Sequence, residues 1–244
     1  MAVDPVLLDI AAAWRPQRPG NKRPKDIREA LVEPDWMGLS AVAVIDGDQA
    51  VFVHDGEALT LPAELPQAIL ESFTAIDAVI EGRITTKALQ GDAGITLPEV
   101  PVERPSLFIP KRVGGGRDDP FIRVRDYERI AQLEAPAVLA ALEAGARHAF
   151  VATDLLWLDG TPLDDIPLLE RKRLLDGVLD DTYLIRVGPY VLDTTLTTQV
   201  TWSSMGFREL QYKARNSRYL AGEENPEFAV AAPPRSTSSV QGRR

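Results

Sequence analysis

Two neighbouring apolar stretches, LSAVAVI (39–45) and QAVFVH (49–54), are strand-like. Asp46-Gly47 between them tolerates the positive φ of tight turns, so a β-hairpin is predicted from Leu39 to Val53. A second turn follows at Asp55-Gly56. Leu65 to Phe73 reads as a helix, and Ile76 to Thr85 as a strand interrupted at Gly82. HAFVATDLLWL (148–158) is an unbroken apolar run of strand length bounded by Asp159-Gly160, the pattern of a buried central strand. Three helices complete the regular part. They are PVLLDIAAA (5–13), the helically spaced apolar residues of Ile122 to Ala144 ending at Gly145, and LLERKRLLDGVL (168–179), expected to carry its charges on the solvent side. Tyr183 to Val191 and Phe207 to Ala214 are further strands.

Between these elements the pattern fails in three places. Trp14 to Lys25, with RPQRPGNKRPK, is a basic, proline-rich connector, so the ordered domain is expected to start near Asp26. Residues 91–120 hold Pro98, Pro101, Pro105, Pro110 and Gly114-Gly115-Gly116, and form a loop-rich insertion. After Phe228 the sequence AAPPRSTSSVQGRR has too little apolar surface to order itself. The expected organisation is a helix and connector at 1–25, a domain at 26–232 and a tail at 233–244.

Composition narrows the chemistry more than the fold. The 244 residues are 45% hydrophobic, normal for a globular chain with a sizeable core. With no cysteine, disulfides, thiolate metal sites and cysteine nucleophiles are excluded, and two histidines, His54 and His148, are too few for a histidine-rich metal site. A net charge of −9 argues against a protein that coats a polyanion. No basic segment leads into a long apolar run, and no stretch is apolar enough to span a bilayer, so a cytoplasmic protein with no membrane partner is expected.

The segment ATDLLWLDGTPLDDIPLLERKRLL (152–175) resembles the strand–turn–helix of ATP-dependent DNA ligases, F-D-L-L-x-L-D-G-x-x-L-x-x-x-P-L-x-E-R-R-x-x-L. The other motifs follow in order. EPDWMGLS (33–40) sits where that family has E-P-K-W-D-G-x-R, HDGEALT (54–60) at R-N-G-x-D-x-T, and AVIEGRI (78–84) at V-L-D-G-E-L. GFRELQYKARNSRY (206–219) is similar to G-F-E-G-L-V-x-K-x-x-D-S-x-Y, and PEFAVA to x-x-W-L-K-x-K. The resemblance covers residues 33–231. It implies an α+β fold, the ATP-grasp-like nucleotidyltransferase (adenylation) domain, with mainly antiparallel sheets flanked by helices. It also implies a following oligonucleotide-binding (OB) fold, for which the short tail leaves no room, so that module is expected to be absent.

In that family a lysine amine attacks the α-phosphate of ATP, and the resulting adenylate passes to a DNA 5′ phosphate. Asp35 stands at the lysine position, where it supplies no amine and repels a triphosphate. Ser40 replaces an arginine, Arg83 a glutamate, Thr153 the aromatic that stacks on adenine, and Arg208 a metal-associated glutamate, with Glu209 beside it. Val230 and Ala232 stand at two phosphate-contacting lysines. What the resemblance leaves is a degenerate nucleotide cleft of Trp36, Gly38, Glu81, Arg83, Thr153, Arg208 and Lys213, with Asp35 as the degenerate nucleophile position, no catalytic residue and no metal ligand.

Plainer readings stand beside these. Lys22, Arg23 and Lys25 form a solvated connector, Lys213 either meets a phosphate or leaves its amine in solvent, and His54, Asp154 and Asp159 are structural. The arginines from Arg112 to Arg129 alternate with acids and make a mixed-charge surface. The leading expectation is a non-catalytic, ligase-like pseudoenzyme with an accessory or regulatory role in DNA repair, its partner an active DNA ligase or another repair protein, with DNA contact left open. The alternatives are an active ligase using a displaced lysine, Lys25 or Lys213, and an ATP-binding sensor. ATP and Mg²⁺ are cofactors only under those alternatives.

Overall fold

The computed structural model describes residues 3–85, 135–192, 194–205, 207 and 209–233. The insertion at 91–120, the first part of the helix expected over 122–144, Arg208 and the tail beyond 233 lie outside the described residues.

Two antiparallel sheets dominate. The larger holds β3 (Leu39–Asp46), β4 (Gln49–His54), β5 (Glu57–Ala58), β6 (Asp77–Thr85), β7 (Ala149–Leu158) and β8 (Thr161–Pro162), in the order β5-β4-β3-β6-β7-β8. Within it, β9 (Ile185–Val187) pairs in parallel with β7. The smaller sheet runs β10 (Val191–Leu192), β2 (Ala30–Pro34), β11 (Leu210–Ala214), β13 (Phe228–Ala231). A short parallel pair, β1 (Arg18–Pro19) with β12 (Glu224–Asn225), stands apart from both. The α+β architecture with mainly antiparallel sheets is therefore as expected.

The helices are α1 (Pro5–Ala13), α2 (Glu64–Ser72), helical residues 135–143 (α3), α4 (Leu168–Val178) and α5 (Leu196–Ser204). Asp4 caps α1, its carboxylate accepting from the Val6 N–H, and Pro5 sits where a missing N–H costs nothing. Gly145 ends α3 at φ 76°. Helix α5 was not anticipated, because LTTQVTWSS is rich in β-branched residues that favour strands. A threonine cap starts it, Thr195 accepting from Thr198 N.

The turns carry the residues their backbones need. Asp55-Gly56 and Asp159-Gly160 both have two consecutive positive φ values. The Asp159 carboxylate also accepts from the N–H groups of Ile76 and Asp77, the structural role expected of it.

Three details differ from the sequence reading. Strand β6 is not interrupted at Gly82: the strand continues, and glycine is required because a Cβ there would lie 2.4 Å from both the Phe150 ring and the Val151 carbonyl. Tyr183 to Val191 is not one strand but two short ones, β9 and β10, separated at Gly188 to Tyr190. The segment before Asp26 is not outside the packed body. Val3, Leu7, Ala11 and Trp14 are buried against Val42, Val44, Val53, Val79 and Leu156 of the larger sheet.

The main core lies on the opposite face of that sheet. Leu39, Ala41, Ala43, Ile45, Ile80, Ile84, Phe150 and Ala152 pack there with Leu65 and Ile69 of α2 and Leu175 of α4. Strand β6 alternates, even-numbered Ile80 and Ile84 toward the core and odd-numbered Glu81 and Arg83 away from it, whereas β7 passes its core-facing positions from Phe150 and Ala152 to Leu155 at the register shift.

Candidate functional site

The face of the larger sheet away from the main core is divided. Its lower half, Val42, Val44 and Val79, lies under α1. Its upper half meets the smaller sheet across a cleft. Glu81, Arg83 and Thr153 line it from one side, Glu33, Pro34, Asp35, Trp36, Gln211, Lys213 and Phe228 from the other, and Pro16 and Gln17 from the N-terminal segment. Thr153 follows the core-facing Ala152 and so points to the cleft, and it is the extra residue where the β6–β7 register shifts between Glu81 and Gly82. Seven expected site residues are described, and six of them, Asp35, Trp36, Glu81, Arg83, Thr153 and Lys213, meet here.

Gly38 does not line the cleft. It turns the chain into β3 at φ 140°, where a Cβ would lie 2.3 Å from the Ile84 carbonyl, so its role is backbone geometry.

The cleft is closed by ionic and polar pairs. Glu33, 3% exposed, holds Lys172 Nζ at 2.5 Å with one oxygen and Lys213 Nζ at 2.6 Å with the other. Burial alone would raise the Glu33 carboxyl, but the two ammonium groups outweigh it and bring it to about 2. Burial would likewise lower the Lys213 ammonium, yet Glu33 and Glu81 hold it above its ordinary value. Lys213 therefore does not leave its amine in solvent, as one sequence reading had it: it is 6% exposed and locked in place.

Helix α4 supplies the second correction. Arg171 and Lys172, expected on its solvent side, are fully buried. Arg171 grips Asp154 of β7 through two hydrogen bonds of 2.8 Å, while Lys172 grips Glu33 of β2, so adjacent residues of one helix tie the two sheets together. The helix periodicity carried this signal, because 171 and 172 fall on the same face as the buried Leu168 and Leu175.

Most of the remaining cleft groups are also engaged, an exception being the buried Trp36 Nε1, which has no hydrogen-bond partner among the described residues. The Gln211 amide donates to the Asp35 carboxylate and the Arg83 guanidinium to the Ser40 hydroxyl. Burial pushes Asp35 above the usual carboxylate range, against the opposing pull of Arg83, Gln211 and Lys213. Glu81 is raised by burial too, with the neighbouring Asp154 adding to it. Tyr219 hydrogen-bonds to Glu81 and accepts from Trp14 Nε1 at 2.7 Å, linking α1 to the cleft. Trp36 stands edge-on to Phe207, ring centres 4.9 Å apart. A cavity of about 20 Å³ is left, room for roughly one water molecule.

Both lysines of the cleft, Lys213 and Lys172, are ion-paired to Glu33, and Lys213 is held protonated by that carboxylate and Glu81. Lys25 is exposed in the turn Pro24–Asp26 and is not among the cleft residues. His54 donates from Nδ1 to the Ser40 carbonyl, a satisfied structural position. Gln17, Lys172, Gln211 and Tyr219 were not anticipated as cleft residues; for all but Lys172, the residue type alone gave no signal.

No family model matches the sequence, and no curated protein matches it. Solved structures do match the fold. The ligase domain of LigD from M. tuberculosis superposes with a TM-score of 0.55 at 15% identity, over 89% of this chain and 58% of that one. A mycobacterial DNA ligase D complexed with ATP and MES gives 0.55 at 14%, over 91% and 60%. The Chlorella virus DNA ligase-adenylate gives 0.50 at 11%, over 88% and 64%. The chain thus spans about three fifths of the length of these proteins. At such identities the likeness is one of fold: the chain has the α+β fold of the DNA ligase nucleotidyltransferase domain. Among the described residues, no helix is long and apolar enough to cross a membrane.

Proposed function

We propose that this chain is a ligase-like protein without nucleotidyl transfer activity, which acts by binding as an accessory or regulatory factor in DNA repair. One observation carries the reading: the amines in the cleft, Lys213 and Lys172, are both paired to Glu33, and Lys213 is held protonated. The motif resemblance adds that Asp35, a carboxylate, stands where a ligase has its lysine. Asp35 and Glu81 further line the cleft with acid, which disfavours a triphosphate. The partner that fits a ligase-shaped chain without ligase chemistry is an active DNA ligase or another protein at the same DNA ends.

The test is incubation with α-labelled ATP and Mg²⁺ or Mn²⁺, with an intact ATP-dependent ligase alongside as the positive control. The expected result is no label on this chain after denaturing electrophoresis, and no shift of its melting temperature by ATP. A labelled band lost in Lys213→Ala or Lys25→Ala overturns the reading and locates the nucleophile. A melting shift without label replaces it with an ATP-binding sensor.

A further inference from the structure

The residues that follow α1 do more than connect. Trp14, Gln17, Pro19 and Gly20 are buried, and Pro16 and Gln17 form part of the cleft wall. The segment is fastened at both ends. On the larger sheet, α1 packs through Leu7, Ala11 and Trp14, and Trp14 donates to Tyr219. On the other side, Arg18 N donates to Glu223 O at 2.8 Å, Gly20 N to Phe228 O at 2.8 Å, and Gly222 N to Arg15 O at 2.9 Å. Asn225 adds a side-chain bond, its amide donating to Gln17 Oε1 at 2.9 Å. Gly20 lies so close to β12 that a Cβ there would meet Asn225 O at 2.6 Å and Pro226 Cα at 2.9 Å.

We propose that residues 14–20 are an intramolecular peptide ligand: the groove between β12 and the cleft rim is a peptide-binding site, filled in cis by the chain's own N-terminal strap, which holds the cleft shut. The features are those by which grooves take extended peptides elsewhere. Main-chain hydrogen bonds to a strand give the affinity, and a buried side chain on either side of it, here Gln17 and Pro19, gives the register. The prolines Pro16 and Pro19 pre-extend the segment, which lowers the entropy lost on docking. A peptide of the same extended, proline-containing chemistry competes for the groove when the strap leaves. The Cys labelling below reads this closure, whereas the ATP assay reads the cleft amines, so failure of either leaves the other interpretable.

The chain has no cysteine, so one introduced thiol reports the cleft cleanly. The parent is the full chain carrying Thr153→Cys, and the test variant adds Gly20→Val, which sets a side chain against backbone atoms of β12. Maleimide labelling is expected to accelerate about tenfold, the change given by ~1.4 kcal/mol of lost docking. A fluorescent peptide of residues 13–22 is expected to bind the Gly20→Val chain but not the parent, and to slow the labelling again. Gln17→Ala keeps the backbone contacts and is the milder second variant, with about a fivefold rise expected from a lost hydrogen bond of ~1 kcal/mol. A cooperative melt in circular dichroism separates local opening from unfolding. Unchanged labelling in Gln17→Ala and in folded Gly20→Val overturns the strap as the closure. Faster labelling that the peptide does not reverse overturns the groove as a peptide site.

Discussion

On one face of the larger sheet, Leu39, Ala41, Ile80, Ile84, Phe150 and Ala152 form an apolar core with Leu65 and Ile69 of α2 and Leu175 of α4. On the other face the same strands present Glu81, Arg83 and Thr153 to a cleft most of whose polar groups pair with one another, Arg83 also reaching Ser40, while the buried Trp36 Nε1 has no hydrogen-bond partner among the described residues. The apolar face is tolerant, since a dry core loses stability in proportion to the volume removed. The cleft is brittle, because each charge depends on a particular partner. In this cleft Glu33, Lys172 and Lys213 are closed on each other.

The sharpest way to break the contrast is Glu33→Ala, which leaves two buried ammonium groups without a counter-charge. A loss of roughly 3–5 kcal/mol is expected in urea unfolding. The triple change Glu33→Met, Lys172→Met, Lys213→Met is expected to recover most of it, as apolar replacement of a whole buried ion cluster is often neutral. If the single change costs less than the core change Ile80→Val, the cleft is not brittle. Ile80→Val itself should cost about 0.5–1.5 kcal/mol.

Acidity sharpens the same contrast. The depressed Glu33 contributes stability that is full above its unfolded value of 4.5 and is lost as pH falls toward about 2. Asp35 and Glu81 have the opposite sign: raised carboxyls contribute stability that is full below the ordinary carboxylate range and is lost as pH rises through their elevated values. Below 4.5 the urea midpoint is therefore expected to fall as Glu33 is protonated, and Glu33→Gln is expected to flatten that fall. An acid-limb fall equally steep in Glu33→Gln would contradict this assignment.

Smaller effects belong to the periphery. Asp4→Ala removes the α1 cap and should cost about 1 kcal/mol. Lys25→Ala, at an exposed position, should stay within about 0.5 kcal/mol of the parent.

The strands were legible as short apolar runs bounded by Asp-Gly turns, as in LSAVAVI before Asp46-Gly47 and HAFVATDLLWL before Asp159-Gly160. Turns were legible at Asp55-Gly56 and Asp159-Gly160 because few residues accept positive φ. Asp35, Glu81, Thr153 and Lys213 were found as cleft residues through the motif resemblance, not through periodicity. Their partners were not legible, since the Glu33–Lys172 pair joins residues 139 positions apart. Arg171 and Lys172 were misjudged because a charge was assumed to seek solvent, although their positions match the buried face of α4. The strap was hidden for a related reason: its prolines and cations read as a connector, and only its hydrogen bonds to the chain near residue 225 place it on the cleft.

The most direct measurement is the titration of the Lys213 amine, followed by heteronuclear NMR on the labelled chain with Lys213→Arg to assign its signal. The account predicts an ammonium that persists above the ordinary lysine value of 10.5, leaving no lone pair at neutral pH. An amine that loses its proton below that value, near neutral pH, would be a poised nucleophile and would contradict a cleft closed on itself.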